Sequence, residues 1–134
     1  MKALIALWPA TAVAAACGAV SAPEVGDPAR GQVAYQKCYS CHALEPGRND
    51  LGGPTLHKIV GRRVAAEASF DYSPAMRRFA QQQPRWTADL LDQLIADPEA
   101  LAPGTSMTFH GISDAAERRD LIVYLERGVG DRTP

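Results

Sequence analysis

The chain has 134 residues, of which 14 are basic, 15 acidic and 46% hydrophobic, with a formal net charge of −1. That length suits one domain behind an export segment, and the lack of a strongly basic stripe argues against a nucleic-acid partner. No apolar run is long enough to span a bilayer comfortably.

Met1 and Lys2 precede an apolar run over residues 3–16 that ends in small residues. A short basic start, a short apolar middle and a small-residue exit predict a signal peptide. An N-terminal core helix is the competing reading, weakened by Trp8-Pro9 and the low-complexity alanines. Two exits can be read. Val20-Ser21-Ala22 would allow cleavage before Pro23, leaving residues 23–134 as the single mature domain. Ala14-Ala15-Ala16-Cys17-Gly18 resembles a bacterial lipoprotein signal ending at Ala16, which would lipidate Cys17 and tether the protein to a membrane. Ala14 departs from that pattern, where leucine is usual. Removing residues 1–22 takes away one basic and no acidic residue, so the mature body carries a net charge of −2.

Residues 21–26 form a lead-in with Pro23 and Gly26. Asp27-Pro28 places a capping carboxylate before a proline and predicts a helix running through Gly31, Ala34 and Tyr35 to about Cys41. Residues 45–54 are rich in Gly, Pro, Asn and Asp and read as loop, with a short helical turn near residues 56–61. Ser73-Pro74 repeats the cap signal for a helix to about Gln82, closed by Pro84. Thr87 caps another, in which Leu90, Leu91, Leu94 and Ile95 recur at helical spacing before Asp97-Pro98 ends it. Residues 101–111 read as loop. Asp114 or Ser113 opens the last helix; Glu117 would complete a capping box with Asp114, and Gly128 and Gly130 stop the chain's helical run. The fold class is therefore all-α, with three or four main helices and long loops. Loops of this length in a small domain need a reason, and a bound prosthetic group that they wrap is one.

Cys38-Tyr39-Ser40-Cys41-His42 supplies that group. Two thiols about one helical turn apart can add to the two vinyl groups of a haem, and the next residue, His42, is carried under the iron as proximal ligand. A redox dithiol would want strand–helix alternation around it, and a zinc site would need more ligands at matching spacing. A structural disulfide is the remaining alternative. For the sixth iron position the candidates are Met76, Met107, His57 and His110. Met107 lies in a Pro103-Gly104 loop and can swing onto the iron; Met76 reads as core, and His110 is the competitor three residues from Met107.

From these residues the chain is identified as resembling the class I cytochromes c, over about residues 27–128. Gly31 and Tyr35 resemble the family's glycine and aromatic in the first helix. Gly53-Pro54 resembles the pair whose proline carbonyl accepts a hydrogen bond from the proximal histidine. Gly61-Arg62 resembles the pair whose arginine lies near a haem propionate. Tyr72 and Trp86 resemble the propionate-bonding aromatics, although both could be ordinary core residues. Gly104-Thr105-Ser106-Met107 resembles the ligand loop, and residues 121–125 the helix that crosses the first. The resemblance implies the cytochrome c fold around one covalent haem c. Cys38, Cys41, Pro54, Arg62, Tyr72, Trp86 and Thr105 would then contact it, with His42 and Met107 on the iron. It implies an exported, periplasmic electron carrier rather than an enzyme. That carrier would be monomeric and would serve redox partners such as a membrane oxidase, reductase or dehydrogenase. A haem enzyme or ligand sensor with an open sixth position is the alternative, and a subunit of a larger oxidoreductase a third. One departure is visible: lysines often ring the haem edge in the family, whereas here only Lys37 and Lys58 follow the export segment.

Overall fold

The computed structural model describes residues 25–128. The predicted export segment, both of its exits, Cys17 and Gly130 lie outside them. Among the described residues five α-helices succeed one another without a strand, and a bridge pairs Arg63 with Arg85. No helix there is long and apolar enough to cross a membrane.

Helix α1, Pro28–Ala34, opens where Asp27 accepts the Ala29 N–H and Pro28 takes the first helical position. It does not run to Cys41. It tightens into a 3-10 turn over Tyr35–Lys37 and then into turns in which the Cys41 and His42 N–H groups both reach the Cys38 carbonyl, at 3.0 and 2.9 Å. The Tyr35 hydroxyl donates to the His42 carbonyl. A continued helix would carry residue 42 about 10 Å further along the axis, out of that hydroxyl's reach. The tertiary bond prevails over local helix propensity.

Helix α2, Pro74–Gln82, is capped by Ser73, which accepts the Met76 N–H, and it ends as Gln83 turns extended before Pro84. Helix α3, Ala88–Ala96, is capped by Thr87 on the Leu90 N–H. Asp97-Pro98 ends α3 as read from the sequence, but it also begins a one-turn helix, α4, Pro98–Leu101, with Asp97 accepting the Ala100 N–H. Helix α5, Ala115–Arg127, is capped by Asp114 on the Ala116 N–H. The expected capping box is not completed, because the Glu117 carboxylate goes to Lys37 Nζ instead.

The apolar stripe of α5 explains its place. Leu121, Ile122 and Leu125 are buried, Leu121 completely, against Ala34 of α1 and Leu91 and Ile95 of α3. The crossing of α1 over α5 is close because Gly31 has no side chain; a Cβ there would stand 2.0 Å from the Asp120 carbonyl oxygen. Asp120 locks the same crossing. Its carboxylate accepts the Asp27 N–H at 2.7 Å and Arg30 Nε at 2.6 Å. The Arg30 bond, then the Asp27 bond, hold its pKa below the usual carboxylate range. A depressed carboxylate contributes stability above its unfolded pKa of about 3.9 and loses it as pH falls through the folded value. Asp120→Asn is therefore expected to melt well below the parent at pH 7, with the gap narrowing as pH falls below about 3.9. A gap unchanged across that range in thermal melts would contradict this account.

Candidate functional site

The turn after α1 presents Cys38, Cys41 and His42 to one cavity of about 360 Å³. The wall is completed by the 52–59 segment, by α2 and α3, and by residues 105–109. It is mainly apolar, with Leu56, Ile59, Phe70, Trp86, Leu94 and Phe109 among the lining side chains. Met76 and Met107 both reach it, as do Pro54, Arg62, Tyr72 and Thr105. His57 and His110 do not. His57 lines a separate depression with Lys58, and His110 is exposed.

The cavity's chemistry rests on His42. Its Nδ1 lies 2.7 Å from the Pro54 carbonyl oxygen, which can only accept, so Nδ1 carries the hydrogen and Nε2 keeps its lone pair. Burial pushes the imidazole pKa down, with the Pro54 bond partly opposing it and Arg62 adding to it. The ring therefore stays neutral and able to ligate. It fits against the chain only because residue 53 is glycine: a Cβ there would come within 2.3 Å of Cε1.

Pro54 is held by a network that the sequence did not reveal. Thr55 is 1% exposed. Its hydroxyl donates to the Glu45 carbonyl at 2.7 Å, and its N–H donates to Asn49 Oδ1 at 2.8 Å. Asn49 Nδ2 in turn reaches Glu67 and Ser69. The signal available was composition alone, an Asn and a Thr flanking the Gly-Pro pair.

Arg62 joins this network to the cavity. Its two terminal nitrogens donate to the His57 and Thr55 carbonyls, and Nη1 pairs with Glu67 at 3.1 Å. Its Nε is buried without a hydrogen-bond partner among the described residues. A buried guanidinium nitrogen left in this way calls for an acceptor. Tyr72 lines the same cavity, its hydroxyl accepting the Glu67 N–H at 3.2 Å; burial raises its pKa. Trp86 is buried against Phe79, with ring centroids 5.6 Å apart.

The two cysteines are not bonded to each other. Burial pushes the Cys38 thiol up to about 11. A catalytic dithiol needs the reverse, a depressed pKa that supplies thiolate. The loop carrying Met107 is fixed at both ends: Thr105 N–H donates to the Ala102 carbonyl at 2.9 Å, and Ile112 N–H to the Ile95 carbonyl at 2.9 Å. The donor set fits a haem. It offers two thiols a turn apart, an imidazole with a free Nε2, a thioether, an apolar wall and a spare buried donor for an acid group.

No family model matches the chain. Individual proteins do. It is 34% identical over 106 residues to cytochrome c-550 of Ancylobacter novellus, covering 79% of this chain and 99% of that one. It is 38% identical over 107 residues to cytochrome c type-1 of Ascaris suum, covering 78% and 92%. The solved structure of cytochrome cH from Methylobacterium extorquens superposes with a TM-score of 0.68 at 36% identity, covering 75% of this chain and 98% of that one. The helices and the cavity define a haem protein of the cytochrome c fold. The chain belongs to the class I cytochromes c. Its cofactor is one covalently attached haem c, and it is an electron carrier rather than an enzyme.

Proposed function

We propose that Cys38 and Cys41 would form the two thioether bonds to the haem, and that His42 Nε2 and the Met107 sulfur would be its iron ligands. The observation that carries this reading is that all four side chains line a single cavity. Bound there, the haem supplies a metal that cycles between two oxidation states. The chain's residues set how readily it does so. The Pro54 carbonyl fixes the His42 tautomer and raises its basicity as a ligand. Met107 offers a soft sulfur that favours the reduced metal. Arg62, with its spare Nε, and Tyr72, Trp86 and Thr105 would hold the cofactor's polar edge. The mainly apolar wall limits the water that reaches the cavity, and His110, the competing ligand candidate, is off it.

The location and partners belong to the same proposal. Residues 1–22 export the chain, and the mature domain works in the periplasm as a monomer. Its partners are redox proteins such as a membrane oxidase, reductase or dehydrogenase. Cys17 would add a lipid tether if the earlier exit is used.

The test is an intact mass after acid–acetone extraction, from cells with a working haem-attachment pathway. The expected mass includes one haem, and a bare polypeptide mass would refute the attachment. The same spectrum fixes the N-terminus, at Pro23 after simple cleavage or at a lipidated Cys17.

A further inference from the structure

Charge is distributed unevenly along the chain. Residues 58–87 hold six basic and two acidic residues, whereas residues 88–117 hold six acidic residues and neither lysine nor arginine. The acidic stretch contains α3, α4, the Met107 loop and the start of α5. It therefore frames the side of the cavity that residues 105–109 close.

The cavity wall meets solvent at Ser106 and Thr108 on that side, and at Ser40 and Cys41 of the cysteine turn. Tyr39, between the two cysteines, is 57% exposed. Electron-transfer rates fall off steeply with distance, so a partner has to come to an exposed edge of the cavity. The edge itself carries little charge, and the groups around it set the local field.

Lys37 lines the cavity, but Glu117 neutralises it. Arg118 is 12% exposed, paired with Asp92 and bonded to the Ile112 and Ser113 carbonyls. Arg119 has its Nε buried. Asp97, Glu99 and Asp114 remain exposed. Their hydrogen bonds go to backbone N–H groups, of Ala100, Gly104 and Ala116, which leave the charge in place. Glu99 binds the residue next to cavity-lining Thr105, and Asp114 stands just past the loop's far end.

We infer that the face over the Met107 loop is an acidic docking surface, and that the redox partner it fits presents lysines and arginines. The acidic groups do not make the site; the exposed cavity edge does, and they select what approaches it. A complementary field speeds encounter and weakens with salt, and a like-charged field does the opposite. The inference rests on the electron-carrier reading.

The test uses the full haem-loaded protein, reduced beforehand, in stopped flow. The oxidant is either cationic tris(phenanthroline)cobalt(III) or anionic ferricyanide; in each reaction one electron leaves the protein and one enters the complex, with no atom transferred. The rate with the cobalt complex is expected to fall about tenfold between about 10 and 200 mM salt, and the ferricyanide rate to rise. Glu99→Gln with Asp114→Asn keeps the acceptors that the backbone needs and should at least halve the cobalt slope. Glu126→Lys changes the net charge equally from the exposed last turn of α5, about 18 Å along the helix from Asp114, and should leave the slope near the parent's. The inference is overturned if the cobalt rate rises with salt, or if Glu126→Lys flattens the slope as much as the double variant. Failure of either complex to oxidise the protein would remove the electron-carrier reading, and the inference with it.

Discussion

Gly31→Val is expected to remove a large part of the protein's folding stability. The space does not exist: a Cβ at residue 31 would stand 2.0 Å from the Asp120 carbonyl oxygen, 2.6 Å from its carbon and 2.6 Å from Tyr124 Cβ. The first two are backbone of α5, so no rotamer change relieves the contact. Helix α1 would have to lift away, and with it would go the bonds from Asp27 and Arg30 to Asp120 and the burial of Ala34. Over-packing a core commonly costs ~1–3 kcal/mol, and the lost carboxylate bonds add to it, against a total of about 5–15 kcal/mol for a domain. Even Gly31→Ala should lower the thermal midpoint by about 15 °C. Gln32→Ala, at the exposed neighbouring position, should leave it unmoved. A Gly31→Ala melt within a few degrees of the parent would contradict the close crossing.

The helix starts were legible because each is written in adjacent residues. Asp27-Pro28, Ser73-Pro74, Thr87 and Asp114 cap the helices they announce. The end of α1 was not legible, because it is set by Tyr35 reaching the His42 carbonyl across a turn. Helix α4 was missed because Asp97-Pro98 serves as stop and start together, and only the stop was read. The attachment motif named the cofactor at once, since its chemistry is local. The Asn49–Thr55–Arg62 network had no such signature. Its members are separated by loop, and its bonds run mostly between side chains and backbone carbonyls, which a residue pattern does not record. Glu117 shows the same limit: its position fits a capping box, but a lysine from another element claims it. Tyr72 and Trp86 were ambiguous in sequence, because an aromatic lining a cavity and one filling a core have the same pattern; both lie on the cavity wall.

Met107→Ala is expected to convert a closed iron site into an open one. The thioether is on the cavity wall and its loop is pinned to Ala102 and Ile95, so removing the side chain leaves the backbone in place and the sixth position to water. The ferric spectrum should shift toward high spin, and the weak near-infrared band of methionine-bound ferric haem should vanish. The reduction potential should fall by ~0.1 V or more, a part of the roughly 0.8 V range that axial ligands set, because soft sulfur no longer favours the reduced metal. Carbon monoxide should then bind the reduced protein readily, where the parent resists it. Two controls separate the candidates. His110→Ala removes an exposed residue that is off the cavity wall and should change none of these signals. Met76→Ala is the stricter control, since Met76 also lines the cavity. Met76 packs against the core from α2, and its loss should lower stability, by ~2 kcal/mol at the low end of such truncations, while the near-infrared band persists. If Met76→Ala abolishes the band and Met107→Ala spares it, the ligand is on α2; if His110→Ala alone opens the iron, a two-histidine site of lower potential replaces both.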